Sequence, residues 1–120
     1  MPCNDRGSAT LWGVALMGLL MSVALAFAVT GSARVARHRV HQAADLSALA
    51  AARLALVAPK SACTRAAALA RQNGADLSSC TITGAVADVQ TSLTISIPGL
   101  GPRTLTGRSR AGPSHDHPAR

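Results

Sequence analysis

The chain has 120 residues, room for one small domain, and carries 12 Lys and Arg against five acids, a net charge of +7. All five acids are Asp (Asp5, Asp45, Asp76, Asp88 and Asp116), too scattered to supply a catalytic carboxylate pair, and no nucleotide-binding glycine fingerprint is present. The two aromatics, Trp12 and Phe27, fall in the first 30 residues, which excludes stacking on single-stranded nucleic acid by the remainder.

Between Arg6 and Arg34 lie 27 residues without a charge, and Ala9 to Val29 reads ATLWGVALMGLLMSVALAFAV. Roughly 20 apolar residues at 1.5 Å each cross the hydrocarbon layer. Residues 8–33 are therefore expected to form a transmembrane helix behind a leader-like segment, residues 1–7. A buried core helix is the first rival reading, but the rest of the chain is too poor in large apolar residues to surround it. A cleaved signal peptide is the second, since Ala24-Leu25-Ala26 and Ala26-Phe27-Ala28 both fit a small-x-small site. Its product would be a secreted basic binding protein. The flanks bear on orientation. Arg6 and the terminal amine stand against Asp5 on one side, and Arg34, Arg37 and Arg39 lie on the other. The positive-inside rule alone places the C-terminal side in the cytoplasm.

From Ser32 to Ala58 there is no Pro or Gly, so the helix is expected to continue outside the membrane over residues 34–58. Val35, Ala43, Leu46, Leu49, Ala50 and Val57 fall near one face, with Arg39 and Arg53 intruding, and alanine there lets another helix approach closely. Pro59 is expected to stop the helix.

Residues 59–110 read as a small α/β head. Ser61 could cap a second, short helix and Asn73-Gly74 end it, with Cys63, Ala66, Ala67 and Ala70 on one side. Ser79–Thr83 is a β-prone run. Val89, Thr91, Leu93, Ile95 and Ile97 alternate with polar residues, as a half-buried strand does. Pro98-Gly99 and Gly101-Pro102 mark a turn, and Arg103–Arg110 reads as an edge strand. Residues 111–120 read as a disordered tail. The fold class is thus an α+β membrane protein: a long N-terminal helix, a short second helix and an antiparallel sheet of about three strands.

Of the 90 residues from Gly31 onward, only 17 are Val, Ile or Leu. A domain this lean needs a staple or a partner. A Cys63–Cys80 bridge would tie the second helix to the first strand and contribute roughly 3 kcal/mol in the chain-entropy model. It requires an oxidising compartment. Two buried free thiols are the alternative. Cys3 stands apart, with no apolar run before it to make a lipobox.

Two segments carry a family resemblance. Arg6-Gly7-Ser8-Ala9-Thr10 before an apolar run resembles the start of TadE-like and TadG-like proteins of the Flp (tight adherence) pilus system. Gln42-Ala43-Ala44-Asp45-Leu46-Ser47-Ala48-Leu49-Ala50-Ala51-Ala52 is similar to the Q-x-A-A-D-x-A-A-L-A-A segment that follows the membrane helix in TadG-like proteins. With Trp12 after the G-S-A-T element, the chain is most similar to the short actinobacterial helicase/secretion neighbourhood TadE-like group. The resemblance covers residues 5–52 well and the rest loosely.

The resemblance implies a pilin-like, non-catalytic membrane protein of a Flp-type pilus, type IV pilus-like or related secretion system. It implies cleavage between Gly7 and Ser8 by a prepilin peptidase and a cytoplasmic N-terminus. It also implies an extracytoplasmic head, with Arg34, Arg37 and Arg39 in the outer headgroup layer. Implied partners are the membrane, other pilin-like subunits, and an assembly platform driven by a secretion ATPase. One position departs from the pattern. Trp12 stands where TadE-type prepilins usually carry Glu, and no other acid lies in the span to replace it. A minor pseudopilin or assembly component is therefore expected rather than a bulk filament subunit.

Asp45, Leu46 and Leu49 are candidate helix-docking residues, with a solvated Asp45 near His41 and Arg37 as the plainer alternative. His38 and His41 could share a helix face but make a poor metal site, and so does His115-Asp116-His117. No cofactor or catalytic residue is expected. The spread basic charge gives little support for nucleic acid as a partner.

Overall fold

A computed structural model of the chain describes residues 7–114. The expectations for residues 1–6, with Cys3, and for His115, Asp116 and His117 fall outside the described residues. In chain order the elements are α1 (Ser8–Leu54), α2 (Pro59–Gln72), β1 (Asp76–Thr83), β2 (Val86–Ile97) and β3 (Gly101–Ala111). The chain divides into two compact units, Met1–Ala33 and Arg34–Arg120.

The first unit contains the apolar part of α1, a helix long and apolar enough to cross a membrane. Leu11, Trp12, Leu16, Met17, Leu20, Met21, Leu25 and Phe27 are all exposed, so its large side chains have no protein core to enter. Hydroxyls along it are satisfied within the helix. Ser22 Oγ donates to the Gly18 carbonyl at 2.8 Å and Thr30 Oγ1 to the Ala26 carbonyl at 3.0 Å. A hydroxyl bonded back four residues presents no free donor to hydrocarbon.

In the second unit, the face of α1 that packs is lined by small side chains. Ala36, Val40, Ala43, Ala44, Ser47, Ala48 and Ala51 are buried, spaced in threes and fours. The expected stripe is corrected: Val35, Leu46, Leu49 and Val57 are exposed. The physical reason is the closeness of the helix to the sheet. A Cβ placed on Gly107 of β3 would lie 2.5 Å from the Val40 carbonyl oxygen. Thr91 Oγ1 of β2 donates to the same oxygen at 2.8 Å. Backbone touches backbone here, and Leu could not fit between them.

Pro59 opens α2 instead of merely stopping α1. α1 ends at Leu54, and Pro59 sits in the first turn of α2, where its missing N–H costs nothing. Ser61 is not the cap; its Oγ donates back to the Ala58 carbonyl at 3.1 Å. Asn73 closes the helix, its Nδ2 donating to the Leu69 carbonyl at 2.8 Å, and Gly74 follows at φ +76. Ala62, Ala66 and Ala70 form its buried stripe.

The three strands make an antiparallel meander in the order β1-β2-β3. β1 begins at Asp76, three residues before the expected start, and pairing slips between Leu77 and Ser79. This bulge keeps Leu77 opposite Thr91 and Cys80 opposite Val89, so both fall on the covered face. Gly101-Pro102 belongs to β3 rather than to the turn. One core cluster gathers Ala48, Ala51, Ala62, Ala66, Ala87 and Val89, with Leu54, Leu77, Cys80 and Ile82 at its margin. A second gathers Val40, Ala43 and Ala75, with Leu93 and Leu105. Cys63 and Cys80 are joined, S–S 2.02 Å, stapling α2 to β1.

Two stability tests follow from the helix–sheet contact. Gly107→Ala forces its Cβ into the Val40 carbonyl and is expected to cost at least about 1–3 kcal/mol, read by chemical denaturation of the oxidised protein. Ser47 Oγ is buried without a hydrogen-bond partner among the described residues. Ser47→Ala removes that group and is expected to raise stability by about 1 kcal/mol; a lower denaturation midpoint would contradict it.

Candidate functional site

Three places concern the residues singled out from the sequence. At the N-terminal end, Gly7 is exposed and its carbonyl accepts from Leu11 N at 3.4 Å, while Ser8 is the first helical residue. The Gly7–Ser8 peptide thus lies at the helix start. Trp12, one turn on, is 77% exposed.

The second place is the outer side of α1, away from the Ala stripe. Leu46 is 45% and Leu49 56% exposed. Together with Ala50, Arg53 and Leu54 of α1 and Arg65 and Leu69 of α2, they line an open groove of about 450 Å³. The floor is leucine and the two charges are both guanidinium. Arg53 and Arg65 have no ion-pair partner among the described residues. Asp45 is exposed but does not line this groove. Of the three candidate docking residues, the structure brings Leu46 and Leu49 together and leaves Asp45 outside.

Arg65 and Leu69 were missed by reading the sequence alone. Their signal was there: they are four apart, off the Ala62, Ala66, Ala70 stripe, and so share the far side of α2. Arg53, read first as an intrusion on a core face, lies at the groove instead.

The third place is a basic stripe. Arg34, Arg37, His38 and His41 line one concavity on α1. Their spacing of three and four residues puts them on one face. Among the described residues no three His, Cys, Asp or Glu side chains gather where a metal ion could be held.

Compared with known proteins, no curated protein and no solved structure matches the chain. A family model does match: residues 7–54, which include the whole of α1, are similar to the family described as putative Flp pilus-assembly TadE/G-like.

Proposed function

We propose that this chain is a minor, pilin-like component of a Flp-type pilus-assembly or related secretion system, acting by packing rather than by catalysis. The span anchors it in the membrane, the N-terminus faces the cytoplasm and the disulfide-stapled head faces outward. The observation that carries the reading is the composition of the span. Residues 8–33 hold no carboxylate, and exposed Trp12 occupies the place where the resembling prepilins usually carry Glu. Without that charge the span has nothing to pair with a neighbour's N-terminal amine in an apolar filament core, so a bulk subunit is disfavoured. The Cys63–Cys80 bridge supports an oxidising compartment for the head, against the pull of Arg34, Arg37 and Arg39 on orientation.

Sequencing the N-terminus of the protein from isolated membranes tests this, with thiol labelling before and after reduction. Ser8 as first residue, with Cys63 and Cys80 labelled only after reduction, is the expected result. A start at Phe27 or Val29 in the medium would mean a secreted binding protein. Recovery as the major repeating subunit of purified pili would sink the minor role.

The groove at Leu46 and Leu49 is the surface through which the head would meet its neighbours. Leu49→Asp alters an exposed side chain. It is expected to leave the unfolding midpoint within about 0.5 kcal/mol of the parent while reducing co-purification with the assembly platform. Unchanged co-purification would remove the groove from the docking role.

A further inference from the structure

The exposed large apolar side chains of the second unit are not evenly spread. Leu46, Leu49, Leu56 and Val57 all fall in the last turns of α1 or in the turn that follows it. Among the described residues of that unit, only Val35 and Leu100 are exposed elsewhere. Single exposed leucines are ordinary, but a group this close in the chain marks a surface that another molecule covers. The groove beside them has a helix as each wall. Leu46, Leu49, Ala50 and Arg53 come from α1, and Arg65 and Leu69 from α2. Ala50, small and set among leucines, lets a third helix come close. A small molecule needs most of its own surface enclosed. This trough has no roof, and Leu46 and Leu49 stay 45% and 56% exposed.

The charge around the groove has one sign. From Leu46 to Ala75 the chain holds Arg53, Lys60, Arg65 and Arg71 and no acid. Arg53 stands on one wall and Arg65 on the other, and neither has a protein partner among the described residues. A helix lying on the leucines would strip water from both guanidinium groups. Unless that helix brings carboxylates, the lost hydration is not offset. The occupant therefore carries Asp or Glu on both sides of an apolar strip. This chain cannot supply it. It has no Glu, and of its five Asp the closest two, Asp76 and Asp88, lie on β1 and β2. A second copy would also set its own Arg53 and Arg65 against the first pair, and like charges facing across a contact are costly.

We infer that the groove takes an acidic amphipathic helix of a different protein. Its apolar residues, at three- and four-residue spacing, seat on Leu46, Leu49 and Leu69, and its carboxylates pair with Arg53 and Arg65. The head is thus one half of a hetero-pair rather than of a homodimer. A guanidinium meets a carboxylate in a fixed planar geometry, so the two arginines also set the register of the incoming helix. Encounter is faster at low salt and slower at high salt. This assignment rests on the docking role proposed for the groove above and adds the chemistry of the partner.

The test places a photoreactive benzoyl-phenylalanine at position 49 of the full chain, in the membranes of its own cells. The cross-linked peptide is then mapped by mass spectrometry. The expected peptide belongs to another protein and carries Asp or Glu beside apolar residues at helical spacing. Arg53→Gln with Arg65→Gln is expected to lower the cross-link yield about tenfold. Arg53→Glu with Arg65→Glu is expected to abolish it, and changing the flanking carboxylates of the mapped peptide to Lys to restore it. Restoration also shows that the altered head is folded. A cross-link to a second copy, or to a peptide without flanking acids, would overturn the inference while leaving the groove a docking surface. So would a yield that the Gln pair leaves unchanged, or one that the reversed partner fails to restore. Absence of any protein cross-link at position 49 would remove the docking role and the inference together.

Discussion

The head is organised around one carbonyl oxygen. Val40 O accepts from Thr91 and faces Gly107, so helix and sheet meet at backbone distance. Once the contact is that close, the neighbouring helix positions must be small, and Ala36, Ala43, Ala44, Ser47, Ala48 and Ala51 are. The same demand reaches α2, whose buried stripe is three alanines. Large side chains on α1 are then left with only the outward side, which is how Leu46 and Leu49 come to line a groove with α2. The open groove and the close core are two sides of one constraint.

The two units solve the polar-group problem differently. In the apolar stretch, hydroxyls of Ser22 and Thr30 bond back to their own helix, which suits surroundings that offer no partner. In the head, polar side chains bridge elements: Thr91 to α1, Ser78 Oγ to the Gln90 carbonyl, Arg108 to Gln90 Oε1. A lean core supplemented by such bridges and by one disulfide is consistent with a part that works beside neighbours rather than alone.

Much of the fold was legible because its signals are local. The uncharged run marks the apolar helix, alternation from Val89 to Ile97 marks the central strand, and the paired cysteines mark the staple. The packing face of α1 was not legible. Amphipathic reasoning assigns the core to the largest apolar side chains, Leu46 and Leu49. What decided the matter was Thr91, 51 residues from Val40, and a glycine in a third strand. Gly107 within an alternating strand was the available hint that another backbone comes close. The groove was half legible for the same reason: its α1 side could be named, while Arg65 and Leu69 acquire meaning only once α2 folds back.

An alanine core has a thermal consequence. Heat-capacity change on unfolding scales with the apolar surface exposed, and methyl groups expose little. With the bridge also limiting the unfolded chain, the head should have a stability curve that is low but flat. Its folded population would then vary little with temperature. A head built on Leu and Phe would be more stable at its optimum, with a steeper fall on either side.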